Sequence, residues 1–243
     1  MEAVLLAGAR TPFCAWTRGR KGDGGRGGAL SGSGPFELGA AALRGAWDRV
    51  AHLPDRVVWA NMYQDGPHAC YGARYAAWKA GLPSSVPALT LNLACGGGLS
   101  AVVEAAQDIA TGDAAAVLAG GADCPSRVAK EVFGPSFNDL SCSSPIPATV
   151  EPLAKAAGLS RLDLDAWALE SHRRAVAGRA RLAEEIVPFA GALADDLPSE
   201  SLSTAELAQV LRVDDGHGPD AGQLGVRHVL QLQVEARPAE GQT

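Results

Sequence analysis

The 243-residue sequence has no C-x-x-C pair, and its five cysteines, Cys14, Cys70, Cys95, Cys124 and Cys142, are an odd and scattered set. That distribution indicates neither a disulfide framework nor a zinc knuckle, and no metal-ligand spacing is present. Basic residues are in the minority. Lys and Arg total 21 against 27 Asp and Glu, a net charge of −6 with a pI near 5.4, whereas nucleic-acid binding needs a dominant basic face. No apolar run reaches the roughly 18 residues of a membrane span, and the opening MEAVLLAGARTPF lacks the basic flank and long apolar core of a signal peptide. The expectation is a cytoplasmic protein with no nucleic-acid and no membrane partner. Aromatic residues make up only 5% while alanine and glycine abound, and 47% of residues are apolar, which suits close packing of helices on a sheet.

Short apolar runs alternate with helical patterns through the first half. Ala3 to Ala7 reads as a buried strand, and the glycine-rich Thr17 to Gly34 as a loop. Ser33 as N-cap and Pro35 at the first helical position predict a helix to about Val50, with Leu38, Ala41, Ala42 and Trp47 on one face. Strands are expected at Arg56 to Asn61, Pro87 to Leu93 and Ala114 to Ala119. Between them, a helix over Tyr71 to Ala80 stops at Gly81 and Pro83. A second helix follows the glycines at 96–98 and ends at Thr111-Gly112-Asp113; Leu99, Val102, Val103, Ala106, Ile109 and Ala110 predict its hidden face.

From Cys124 to about Ser201 strand signals are few and two helices are expected, the longer opened by a Ser160–Asp163 capping box and running through Leu182. Ser203 with Glu206 caps a further short helix, and Val226, His228, Leu230, Leu232 and Val234 alternate as a half-buried strand does. The alternation implies a layered α/β fold with parallel or mixed pairing. The domain reading is an α/β domain from 1–124 and about 203–236, an inserted helical lobe over 125–202, and a tail at 237–243.

The stretch LNLACGGGLSAV, Leu91 to Val102, places Cys95 at a strand-to-helix junction. Unpaired backbone N–H groups and the helix dipole favour negative charge there, which suits a nucleophilic thiolate. Gly96, Gly97 and Gly98 remove side chains beside the sulfur, and the Cys95 N–H can point at the oxygen of a tetrahedral adduct. The alternative is a small buried hydrophobe whose glycines serve tight packing. A phosphate-cradling loop lacks its G-K-[ST] and G-x-G-x-x-G.

Taken together, AGARTPF (7–13), FELGAAAL (36–43), the long run from Gly72 to Asp123, LSRLDLDAWALESHRRA (159–175) and EIVPF (185–189) resemble the thiolase family over residues 1–190. The resemblance implies a thiolase-like layered α/β/α half-domain with a mixed sheet and an inserted helical loop lobe. It implies that Cys95 is the nucleophile that takes an acyl group from acyl-coenzyme A, supported by Asn92 and Gly96 to Gly98. Coenzyme A thioester is then substrate, and no bound cofactor is expected. The implied partners are acyl-CoA and a second protein chain, as a homodimer or as a hetero-oligomer with a chain that supplies a missing half.

The far end departs from the family, which is normally well over half again as long. The N-E-A-F asparagine, the C-x-G cysteine and the second half that carries them are not found. Two alignments of the last forty residues stand open. In one, Thr204 to Gln223 and the strand from Val226 to Val234 close the first half-domain. In the other, Gly216-His217 with Pro219 resembles the late G-H-P motif, which implies His217 as a catalytic histidine although Gly218 interrupts the motif. His228 reads as a packed core histidine, and His52, His68 and His172 as solvated surface. Pro145-Ile146 stands where the family has a His-Met pair, so no coenzyme A contacts are assigned. The resemblance leaves two functions: a thiolase-type acyltransferase, and a non-catalytic half-domain that serves as a structural or binding subunit.

Overall fold

The computed structural model describes residues 2–14, 29–64, 66–196, 203 and 230–237. In chain order the strands are β1 (Glu2–Arg10), β2 (Arg56–Ala60), β3 (Ala88–Leu91), β4 (Ala116–Gly121), β5 (Asn138–Asp139), β6 (Ser144–Pro145) and β7 (Leu230–Arg237). The helices are α1 (Pro35–Val50), α2 (Gly72–Lys79), α3 (Gly97–Thr111), α4 (Lys130–Phe133), α5 (Ile146–Ala156), α6 (Arg161–Ala177) and α7 (Arg179–Ala183). The main sheet has the spatial order β1-β7-β4-β2-β3. Strand β2 pairs in parallel with β3 and β4, while β7 runs antiparallel between β4 and β1.

Period-two alternation in the central strands builds two cores. Val57 and Trp59 of β2 and Leu118 of β4 face Leu38, Leu43, Ala73 and Ala76 from α1 and α2. Val58, Val117 and Ala119 point the other way, onto Ala101, Ala105 and Ile109 of α3. Strands buried on both faces read as unbroken apolar runs, which is why β2 and β4 are visible in the sequence. The result is a layered α/β/α fold.

Three local expectations are corrected. The N-cap of α1 is Gly34, with no side-chain cap bond, so Ser33 lies one residue outside it and Pro35 supplies the preorganised start. Strand β1 is an edge strand with a bulge between Leu5 and Ala7, and Leu5 is exposed, so β1 is not a buried strand. The third concerns α3. Gly97, Ala101, Ala105, Asp108 and Ile109 face the sheet, whereas Leu99 and Val103 are 73% and 47% exposed. Small side chains let the helix lie close to the strands, which leaves the larger ones of the same helix turned outward.

In the region from 125 to 196 the Ser160–Asp163 capping box opens α6 as expected, but Gly178 separates α6 from α7, so no single helix runs to Leu182. Besides α5 and α6 this region holds α4 and the β5–β6 pair. Helix α5 turns Ile146, Val150 and Leu153 to the outside. The region returns to the sheet through 185–196. There Arg10, 2% exposed at the end of β1, is held by Asp195 through Nη1–Oδ1 (2.7 Å) and Nη2–Oδ2 (2.9 Å), and by Glu185 Oε1 at 2.8 Å. Main-chain bonds from Arg10 N to Glu185 O and from Val187 N to Arg10 O reinforce the joint. Residues 17–28 of the expected Thr17–Gly34 loop, residues 204–206 of the expected Ser203–Glu206 helix start, and Val226 and His228 lie outside the described residues.

Gly121 ends β4 where it meets β2. A Cβ there would stand 2.5 Å from the Ala60 carbonyl oxygen and 3.0 Å from the Ala60 Cβ. Backbone cannot step aside as a flexible side chain can. Gly121→Ala is therefore expected to destabilise the fold by about 1–3 kcal/mol, read as a lower urea midpoint at unchanged slope.

Candidate active site

The parallel strands β2, β3 and β4 deliver their C-terminal ends to one edge of the sheet, the place where open α/β folds form their crevices. Asn61 N donates to Leu91 O and Ala122 N donates to Ala60 O, both at 3.1 Å, so the three strand exits are stitched together. The Asn61 amide extends the seam, donating to Ala122 O (3.0 Å) and to Asp123 Oδ1 (2.8 Å). The Asp123 carboxylate in turn accepts the backbone N–H groups of Met62 (3.1 Å) and Tyr63 (2.9 Å). Burial pushes the Asp123 carboxyl above its ordinary value, while those hydrogen bonds pull it back down.

Cys95 sits in a single 3₁₀ turn, Ala94–Gly96, that runs directly into α3. It is exposed, which removes the reading of an inert buried hydrophobe. Ala94 adopts φ +43°, a left-handed conformation that L residues other than glycine, asparagine and aspartate seldom take. Asn92 holds that turn. Its Oδ1 accepts Ala94 N at 3.0 Å and its Nδ2 donates to Met62 O at 2.9 Å, so one amide ties the residue before Cys95 to the residue before Tyr63.

The three glycines separate into different tasks. Gly97 is buried, and a Cβ on it would lie 3.0 Å from the Ala60 Cβ; Gly98 faces open space; Gly96 lies beside Leu93. Gly97 thus sets the closeness of α3 to the sheet, and Gly98 leaves bare backbone near the thiol. Among the described residues no side chain hydrogen-bonds the Cys95 sulfur. His217, the other catalytic candidate, lies outside the described residues, as does His228. His52 is exposed, as expected, whereas His68 is not plain surface: its ring packs on Tyr75 at 4.1 Å between centroids, and its Nδ1 lies 3.3 Å from the Tyr71 hydroxyl.

Tyr63, Asp123 and Ser136 join this neighbourhood without having been singled out by sequence reasoning. For two of them the signal was position: Tyr63 and Asp123 fall three and two residues beyond buried strands, whereas Ser136, in a turn far along the chain, gave none. The Tyr63 hydroxyl shares a 2.8 Å hydrogen bond with Ser136 Oγ, which donates to Phe133 O at 2.7 Å. Burial raises the Tyr63 hydroxyl above its ordinary value, the bond to Ser136 opposes the rise, and the nearby Asp123 carboxylate adds to it.

Residues 5–132, more than half of the chain, match the family description "Thiolase, N-terminal domain". The chain belongs to the thiolase family. It is 34% identical to beta-ketothiolase BktB of Cupriavidus necator over 196 residues, which cover 72% of this chain and 47% of that protein. It is 33% identical to a probable acetyl-CoA acetyltransferase of Escherichia coli over 216 residues, 77% of this chain and 51% of the relative. The fold matches a crystal structure of human mitochondrial 3-ketoacyl-CoA thiolase in complex with CoA, with a TM-score of 0.80 at 22% identity, over 97% of this chain and 65% of that one. The chain spans about half the length of the curated relatives it matches. Within the thiolase fold it therefore presents a half-domain that carries the Cys95 junction.

Proposed function

We propose that this thiolase-family chain accepts an acyl group from acyl-coenzyme A on Cys95, as the acyl-transfer half of a thiolase-type exchange. The observation that carries the reading is an exposed thiol at the entrance of α3, on a turn clamped by Asn92 and bordered by bare glycine backbone. The sulfur, once deprotonated, attacks the thioester carbonyl carbon. A tetrahedral adduct forms, with its negative oxygen beside backbone N–H groups of the helix entrance. Collapse breaks the bond to the coenzyme A sulfur, which leaves as a thiolate and takes up a proton, and Cys95 keeps the acyl group as a thioester. Asn92 fixes the turn, and Gly98 leaves room for the incoming donor.

The second attack of a thiolase reaction needs proton-transfer groups that the family's second half normally brings. We propose that a further chain or segment carrying that half docks on the outward face of α3, where Leu99 and Val103 are exposed. The same exposed face supports the second reading, a non-catalytic half-domain that serves as a binding subunit. The five free cysteines suit a reducing compartment, so a cytoplasmic setting is part of the proposal, as is a homodimer.

Mixing the purified chain with excess acetyl-CoA tests the acceptor reading. A burst of about one equivalent of free coenzyme A per chain is expected, abolished in Cys95→Ala and retained in Cys70→Ala. A burst that survives Cys95→Ala overturns Cys95 as the acceptor, and no burst with any acyl donor favours the binding-subunit reading.

A further inference from the structure

Behind Tyr63 lies a cavity of about 250 Å³. Its walls include Phe36, Tyr63, His68, Tyr75, Cys124 and Val128. Phe36 meets Tyr75 edge-on at 5.4 Å between centroids, and Tyr75 carries the His68 ring at 4.1 Å, so three of the walls form one continuous aromatic surface. Tyr63 supplies a fourth ring, anchored at its hydroxyl by Ser136 and at its backbone N–H by Asp123. The Asn92 amide bonds the residue before Tyr63 and the residue before Cys95, so the chain segments that carry the two side chains are neighbours. Tyr63 is thus the wall that the cavity shares with the nucleophile's surroundings.

We propose that this cavity houses the far end of the acyl group delivered to Cys95, that it selects acyl groups ending in an aromatic ring, and that Tyr63 is the specificity-determining wall over which the tail passes. The inference rests on Cys95 as acyl acceptor and adds a substrate class to that reading. The size fits: an apolar cavity of about 150 Å³ takes a benzene ring, and the space here admits a ring with a short methylene linker. The lining fits as well, because rings favour edge-to-face and offset contacts with other rings. Glu37, on the same wall, is paired with Lys79 at 3.1 Å, and its carboxyl is held below its ordinary value despite burial, chiefly by its hydrogen bond to Lys79. Arg127, whose Nη1 donates to Gly32 O at 3.1 Å, lines the same cavity, so the wall carries one paired carboxylate and one guanidinium, and an acyl tail ending in a carboxylate and drawn to Arg127 is the competing outcome.

The test measures acyl transfer to Cys95 by intact mass from acetyl-CoA, phenylacetyl-CoA, octanoyl-CoA and glutaryl-CoA. Phenylacetyl matches octanoyl in carbon number, and glutaryl carries a terminal carboxylate. Wild type is expected to accept phenylacetyl at least about tenfold faster than octanoyl or glutaryl, a margin of the size that one well-packed ring supplies. Val128→Phe, which fills the cavity, is expected to lower the phenylacetyl-to-acetyl ratio by at least about tenfold, with retained acetyl transfer showing that the variant is folded. Tyr63→Ala, which removes the shared wall, is expected to erase the preference for the ring over the straight chain. Preference for octanoyl or glutaryl in wild type, or an unchanged ratio in Val128→Phe, overturns the inference. If no donor acylates Cys95 while iodoacetamide still labels it, the acceptor reading falls. The cavity is then judged by phenylacetamide binding in NMR: binding that Val128→Phe abolishes supports an aromatic-ring site, and no binding to wild type overturns it.

Discussion

Asp195→Ala is expected to destabilise the protein by about 3–5 kcal/mol, the cost of leaving a buried charge without its partner. The Arg10 side chain is 2% exposed and that of Asp195 9%, and their two parallel bonds of 2.7 and 2.9 Å form a fork-to-fork pair. Asp195 Oδ1 also accepts Phe13 N at 2.7 Å, and the Arg10 guanidinium stacks over the Phe13 ring at 3.8 Å. Glu185 remains 2.8 Å from Arg10 but is 35% exposed, so water screens the part it can compensate. Loss of Asp195 frees the returning segment from the end of β1 and lowers the denaturation midpoint. Replacing both charges, as Arg10→Met with Asp195→Leu, is expected to recover part of the loss, because an apolar pair of similar volume leaves no fully buried charge orphaned, while the half-exposed Glu185 loses Arg10 and Phe13 N loses the Asp195 acceptor. A double variant as unstable as Asp195→Ala alone would show that packing around Phe13, and not the ion pair, holds the joint.

Asn92→Ala is expected to slow acyl transfer to Cys95 by about 100-fold, the loss that a displacement near 1 Å brings to a positioned nucleophile. The amide makes two bonds, to Met62 O and from Ala94 N, and Ala94 has no other means on its side chain to hold φ +43°. Stability should fall far less, by about 1–2 kcal/mol, since each bond contributes about 1 kcal/mol net and Asn92 is exposed. Asn92→Asp keeps the acceptor for Ala94 N and loses the donor to Met62 O, so an intermediate rate is expected. A rate that follows stability across the series would reduce Asn92 to a structural part. A rate that collapses while the melting temperature holds assigns it to positioning.

Much of the layered fold is legible in the residues themselves. Val57-Val58-Trp59 and Ala116 to Ala119 announce strands buried on both faces, Gly81 and Gly112 stop helices where φ is +86° and +85°, and Ser160 with Asp163 opens α6. The face of α3 was not legible in the same way. Leu99, Val102, Val103 and Ala106 recur at helical spacing, but Gly97, Ala101, Ala105 and Ile109 recur too, and periodicity alone names two apolar faces without saying which meets the sheet. Interaxial closeness decides it, and Gly97 against Ala60 sets that closeness. The site divides along the same line. Asn92, Cys95 and the glycines are contiguous, so one stretch of sequence shows them together. Tyr63, Asp123 and Ser136 reach the neighbourhood only because β2 lies between β3 and β4, and strand order is a long-range property. The ion pair of Arg10 with Asp195 is hidden for the same reason, since the partners stand 185 positions apart.

The most direct measurement of the central claim is peptide mapping after brief exposure of the native chain to acetyl-CoA. An acetyl thioester confined to the peptide that contains Cys95 is the predicted result, with Cys70 and Cys142, the other exposed thiols, left unmodified. Acetylation spread evenly over the three exposed cysteines, or absent from Cys95, would contradict it.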